Sequence, residues 1–163
     1  MKPTPDRTEL ESYVSQHLLK IREATGVPLL LLQCMDSRYP SRTLETMDSL
    51  GFRGKYDQLI LAGASLGVIH KPEWQTTFMN QLGFAIKEHG VTQVLILDHR
   101  DCGAYKHFHV PPIYPDDPAK EKEAHTKVCN LAIETIRSQF PQLEAIHCLL
   151  LPIETVEELV TWP

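Results

Sequence analysis

Leu30–Arg38 reads LLLQCMDSR. A short apolar run ends in Cys34, Asp36 and Arg38, each two residues from the next. Apolar runs of this length, bounded by turn signals, are the mark of a buried strand. Strand side chains repeat with a period of two, so a chain that stayed extended would aim all three polar groups the same way. A thiol, a carboxylate and a guanidinium are costly to gather at the end of a buried strand unless they are used. Val91–Asp98, VTQVLILD, repeats the arrangement: a second buried strand runs straight into His99-Arg100-Asp101-Cys102-Gly103.

Outward from these two stretches, helix and strand alternate. Arg7–Thr25 has helical apolar spacing and stops at Gly26. Val27–Cys34 is the first strand, Ser41–Leu50 a short helix, and Asp57–Ala62 the second strand, followed by the small-residue turn Gly63-Ala64-Ser65. Gln75–His89 is a helix closed by Gly90, Val91–Asp98 the third strand, Ala119–Phe140 a long helix, and Ala145–Leu151 the fourth strand. Glu154–Trp162 is read as a short terminal helix. Continuous apolar strands separated by helices predict an α/β fold: three layers, a central and mostly parallel sheet of about four strands, helices on both faces. Phe108–Pro118 carries four prolines and is not helix interior; it serves as a rigid connector or as a rim to the neighbouring motif.

The 163 residues suit one domain spanning 1–163. A net charge of −5 without a basic cluster argues against nucleic-acid binding and against a polybasic membrane patch. The longest apolar runs are too short to span a bilayer. MKPTPDRTELES lacks an apolar core, so no secretory signal is expected and a cytoplasmic location is. In a reducing compartment the four cysteines are better explained by metal binding or catalysis than by disulfides.

In open parallel sheets, ligands bind beyond the carboxyl ends of the strands, where strand order reverses. With the first strand between the second and third, Cys34 meets His99 and Cys102 there. The His-x-x-Cys spacing is common among paired metal ligands, and a Cys2His set leaves a fourth tetrahedral position open, as catalytic zinc sites do. Gly103 permits a tight turn beside the metal, and a following helix N-terminus favours a thiolate at Cys102. Asp36 either accepts the proton of a zinc-bound water or fills the fourth position itself, and Arg38 pairs with Asp36.

Cys34-Met35-Asp36-Ser37-Arg38 followed by His99-Arg100-Asp101-Cys102-Gly103 resembles the β-class carbonic anhydrases over roughly Val27–Leu151. The resemblance implies one Zn(II) per chain on Cys34, His99 and Cys102, with Asp36 and Arg38 as a catalytic dyad. It implies reversible hydration of carbon dioxide to bicarbonate by a zinc-bound hydroxide, a sheet in 2-1-3-4 order, and a homodimer or higher homo-oligomer whose N-terminal helix, within residues 1–26, packs on the partner. Relatives of the family hydrolyse carbonyl sulfide or carbon disulfide at a similar site. The chain departs from the family pattern after the second strand, where an Arg-Asn-Ala-Gly stretch is replaced by Leu61-Ala62-Gly63-Ala64-Ser65, and the glutamine that orients substrate has no counterpart. Those departures keep two alternatives open: a related small substrate such as carbonyl sulfide or carbon disulfide, and a non-catalytic zinc protein.

Ser37, Gly63, Ala64, Ser65 and Gly103 are the candidate pocket residues. Tyr105 and Phe108 are candidate walls. His107 and His109 follow the second motif closely, as proton shuttles or as ordinary surface histidines. His70, His89, His125 and His147 have no supporting context. Cys129 and Cys148 have no partner at ligand spacing and are read as core residues.

Overall fold

A strand buried on both faces needs apolar side chains at every position, and Leu29–Gln33 (β1) meets that condition with all five residues buried. The computed structural model of the chain describes residues 26–49, 51–151 and 157–162. The N-terminal helix read at Arg7–Thr25 lies outside them. After β1 come α1 (Pro40–Ser49), β2 (Tyr56–Ile60), α2 (Ser65–His70), α3 (Pro72–His89), β3 (Gln93–His99), α4 (Gly103–His107), α5 (Pro118–Gln139), β4 (Ala145–Leu151) and β5 (Glu157–Trp162).

The sheet order is β2-β1-β3-β4-β5. The first four strands are parallel and lie in the expected 2-1-3-4 order. β1 pairs with β3 so that Leu29 lies opposite Gln93 and Gln33 opposite Leu97.

Alternation along the strands divides the core. Leu30, Leu32, Val94, Ile96 and Ile146 pack with Val68 of α2, with Phe78, Met79 and Leu82 of α3, and with Ala132, Ile133 and Ile136 of α5. Leu29, Leu31, Leu95, Leu97 and Leu149 face the other way, toward Met47 of α1 and Phe52. Helices therefore cover both faces.

The long helices have readable ends. Pro72 opens α3 and Gly90 closes it in the left-handed region at φ 76°, its N–H on the Ala85 carbonyl. Asp117 caps α5 by accepting the Lys120 N–H at 3.1 Å. No helix among the described residues is long and apolar enough to cross a membrane.

Two expectations are corrected. The terminal segment is a strand where a helix is expected: Glu157–Trp162 runs antiparallel to β4. All seven β4 residues are buried, so its outer backbone edge needs a partner away from water. That long-range demand overrides the local pattern of a short segment, which periodicity cannot assign. Cys129 and Cys148 are core residues, as expected, but they are also joined as a disulfide. Cys129 lies on α5 and Cys148 on β4, a helix-to-sheet contact that sequence spacing does not report.

Ile96 sits at the centre of β3 and is fully buried. Ile96→Ala is expected to cost about 2–5 kcal/mol, read as a lower urea midpoint with an unchanged m value.

Candidate metal centre

β1 stops at Gln33, and Cys34 follows it with 6% exposure. The chain then turns instead of staying extended. Asp36 Oδ1 accepts the Arg38 N–H at 3.0 Å, and the Asp36 carbonyl accepts the Tyr39 N–H at 3.2 Å. The polar groups of this motif therefore converge through a side-chain-closed turn, where strand periodicity would have kept them in line.

Within that turn Arg38 folds back on Asp36. Its Nε donates to Oδ1 at 2.9 Å and its Nη2 to Oδ2 at 2.7 Å, a two-pronged pair. The same guanidinium also reaches the other motif. Nη1 donates to Asp101 Oδ2 at 3.0 Å and Nη2 to the Asp101 carbonyl at 3.0 Å. Asp101 takes an ion pair from Lys106 as well. Its backbone lies in the left-handed region, φ 57°, and its N–H donates to Glu121 Oε1 at 2.6 Å. Glu121, 3% exposed, accepts Arg100 Nη1 on its other oxygen at 3.1 Å. Four charged side chains thus fix one unusual backbone position between His99 and Cys102.

His99 is the last residue of β3 and is 2% exposed. The hydrogen-bond network assigns its proton to Nδ1, which donates to the Arg100 carbonyl at 2.8 Å. Nε2 is left buried with no hydrogen-bond partner. Cys102 stands at the N-cap of α4. Its sulfur lies 3.9 Å from that of Cys34, and the Gly63 N–H donates to Cys34 Sγ at 3.3 Å. The donor atoms of Cys34, His99 and Cys102 all lie within 4.8 Å of one another.

This donor set fits a tetrahedral soft-metal ion. Two sulfurs on one zinc would stand about 3.8 Å apart at ordinary bond lengths, close to the separation here. The orphaned Nε2 has a lone pair to give, and the Nδ1–H···O=C bond is the usual support for a ligating histidine. Thiolates with imidazole favour zinc over magnesium or calcium.

The electrostatics follow from these contacts. The Arg38 side-chain hydrogen bonds hold the Asp36 carboxyl at about 2; burial opposes them, and the Arg38 N–H adds to the lowering. Asp36 in turn raises Arg38 above its usual range. The Cys102 S–H lowers Cys34 most, burial opposes, and the Gly63 N–H lowers it further; the thiolate so favoured raises Cys102. Burial pushes Tyr39 up to about 12, and its ring leans on the His99 imidazole with centroids 4.5 Å apart.

A cavity of about 210 Å³ opens beside Cys34, lined by Cys34, Met35, Asp36, Ala62, Gly103, Ala104, His107 and Phe108. Of the pocket candidates, Gly103 lines it. Gly63 touches Cys34 from behind, Ala64 and Ser65 are fully buried away from it, and Ser37 is exposed to solvent. Phe108 walls it, with Trp74 and His70 packed behind. Tyr105 is buried and does not line it, and His109 stacks on Tyr105. The proline-rich stretch beyond Phe108 supplies no lining residue and leads on into α5, as a connector does.

Sequence reading missed Asp101, Glu121, Lys106 and Tyr39 as supports, and it gave His125 no context. His125 Nδ1 bonds Asp98 Oδ2 at 2.7 Å inside the core. A carboxylate ending the apolar run VLIL was the visible signal for that pair. Nothing in the sequence marks Glu121, which acts from 20 positions away on α5.

Comparison with known proteins agrees with this geometry. The family model described as "Putative carbonic anhydrase" matches residues 25–155. An uncharacterized protein of Rickettsia bellii is 33% identical over 147 residues, 89% of this chain and 87% of the relative. One from Rickettsia conorii is 32% identical over 148 residues, 90% and 77% of the two chains. Among solved structures, a tetrameric β-carbonic anhydrase of Sordaria macrospora superposes with a TM-score of 0.53 at 16% identity, over 94% of this chain and 93% of that one. The β-carbonic anhydrase CafA of Aspergillus fumigatus gives 0.51 at 15% identity, over 91% and 85%. With the family model covering most of the chain and the β-class fold beneath it, the chain belongs to the carbonic anhydrase family as a divergent member.

Proposed function

We propose that this protein is a zinc enzyme that reversibly hydrates carbon dioxide to bicarbonate, with one zinc held by Cys34, His99 and Cys102. The observation that carries the reading is the buried Cys34–His99–Cys102 donor triangle beside an Arg-held carboxylate. Zinc in such a site supplies Lewis acidity that makes water a nucleophile near neutral pH.

The remaining work falls to this chain's own groups. Asp36 Oδ2 lies 3.9 Å from His99 Nε2, beside the donor triangle. Both its oxygens are engaged by Arg38, which turns it toward the guanidinium and supports an open fourth position. A carboxyl lowered to about 2 is a poor store for a proton near neutral pH. Its role is to accept a hydrogen bond from the attacking water and orient it, rather than to act as the base. Arg38 keeps Asp36 ionised, and Asp101 keeps Arg38 in place.

A second reading, hydrolysis of carbonyl sulfide or carbon disulfide, draws on the cavity wall. Met35, Ala62, Gly103, Ala104 and Phe108 offer apolar surface suited to a small uncharged molecule. A homo-oligomer built from a single domain of residues 1–163, with the 1–26 segment against a partner, completes the proposal. The tetrameric relative supports it, and a monomer mass in light scattering would remove it.

The first test is stopped-flow carbon dioxide hydration on protein with one zinc per chain. Turnover is expected to rise from neutral to alkaline pH, because two thiolates donate strongly to the metal; a flat profile contradicts that donor set. Asp36→Asn should keep its zinc and lose turnover by about 100-fold or more. Full activity in that variant would refute the role given to Asp36. Carbonyl sulfide turnover with inert carbon dioxide would select the second reading. Cys102→Ser should lose zinc and unfold more readily, since metal binding and folding are linked.

The Asp36–Arg38 pair also fixes an acid-side prediction. A carboxyl lowered on folding contributes stability that is complete above the ordinary aspartate value, about 3.9. That stability is lost as the pH falls through about 2. Carboxyl-carbon NMR should place the Asp36 midpoint near the lower value, and Arg38→Ala should return it toward the ordinary one. A midpoint unmoved by Arg38→Ala would show that the pair does not form.

A further inference from the structure

The strand that delivers His99 ends Val94-Leu95-Ile96-Leu97-Asp98, and Asp98 is 1% exposed. Val94 and Ile96, on the same side of β3, are core residues. A carboxylate in that row is expensive unless its oxygens are satisfied. Here they are satisfied by three separate elements. Oδ1 accepts the Ser65 N–H at 2.9 Å. Oδ2 accepts the Ser65 hydroxyl at 2.5 Å, the Tyr105 hydroxyl at 2.9 Å and His125 Nδ1–H at 2.7 Å. Cys129 Sγ lies 3.7 Å away, but as a disulfide sulfur it has no proton to give. The Tyr105 ring stacks on the His125 imidazole at 3.8 Å between centroids.

These partners are the neighbours of the metal-ligand sulfurs. Ser65 opens α2 directly after Gly63 and Ala64, which hold positive φ angles of 75° and 42°. Such a turn keeps its shape only when its flanks are fixed, and the Gly63 N–H on Cys34 Sγ depends on that shape. Tyr105 stands one turn into α4, whose N-cap is Cys102. The turn and α4 touch: a Cβ on Gly63 would come within 2.9 Å of the Ala104 Cβ. Asp98 thus grips both the loop that donates to the Cys34 sulfur and the helix that carries the Cys102 sulfur, while its own strand carries His99.

We propose that Asp98 is a positioning residue for the metal centre, acting through Ser65 and Tyr105 to set the Gly63 N–H···Sγ bond on Cys34 and the placement of Cys102. The inference rests on the reading of Cys34, His99 and Cys102 as metal ligands. It assigns a second structural layer to that site, at a buried residue that does not line the cavity.

The test uses the full chain loaded with cobalt(II), followed by its thiolate-to-cobalt charge-transfer band, its visible d–d bands, and competition with a chelator. Ser65→Ala keeps the backbone donor and removes one hydroxyl; Tyr105→Phe removes the other. Each is expected to fold, to weaken cobalt binding by about 10-fold, and to shift the charge-transfer band. Asp98→Asn should weaken binding by up to about 100-fold. If Asp98→Asn fails to fold, the two hydroxyl deletions decide. Variants that melt earlier but bind cobalt with unchanged affinity and spectrum would overturn the proposal, because they would reduce Asp98 to a core contact. Wild-type protein that takes up no cobalt would overturn the ligand assignment itself. Wild-type protein that binds, with unchanged variants, would overturn only the role of Asp98.

Discussion

The site depends first on the parallel pairing of β1 with β3, which sets Gln33 beside Leu97. That pairing brings together two segments 60 and more residues apart, so that a cysteine leaving one strand and a histidine ending the other share one volume. Parallel neighbours are obtained only through long crossovers, and here β1 feeds its chain to β2 on one side while β3 lies on the other. The crevice opened by that divergence is where the polar ends of both strands accumulate. The leucines and isoleucines of the strands are thus the remote cause of the donor triangle.

A sheet places these segments near one another, and charge fixes them. Arg38 is the link: one guanidinium spans the turn after β1 and the loop after β3, binding Asp36 on one side and Asp101 on the other. Glu121 holds the loop from the far side through the Asp101 N–H. An exposed ion pair alone contributes little to stability. Here the chain of pairs serves geometry, since Arg38 binds both Asp36 and Asp101, Asp101 takes both Arg38 and Lys106, and Glu121 takes both Arg100 and the Asp101 N–H.

What the sequence made legible follows from how each signal is written. Strands buried on both faces appear as unbroken apolar runs, which is why β1, β3 and β4 were readable; their order came from the resemblance carried by the two motifs, since apolar runs do not encode it. The candidate ligands Cys34, His99 and Cys102 stood out because each follows or ends an apolar strand run and is of a type that binds metal. The reason first given for their convergence, a continued extended chain, differs from the turn that forms, because Asp36 can close a ring with the Arg38 N–H and a strand cannot show that in advance. β5 was hidden because a short segment takes its structure from the edge it must cover. The Cys129–Cys148 pairing and the support from Glu121 were hidden because both join α5 to distant chain, and only packing creates those distances.

The close approach of Gly63 to Ala104 has a consequence for how this family member can change over time. Gly63 cannot acquire a side chain, both for its φ of 75° and for the 2.9 Å contact its Cβ would make with Ala104. Ala104 in turn has no room to grow on that side. Gly63 therefore backs Ala104, a lining residue, and holds its side of the cavity at constant size across any lineage that keeps this turn. Variation in what the cavity admits is channelled to Met35, Ala62, Gly103, His107 and Phe108, the lining positions apart from Ala104, Cys34 and Asp36. Divergence among relatives should be concentrated at those five positions, with the pair at 63 and 104 drifting together or not at all.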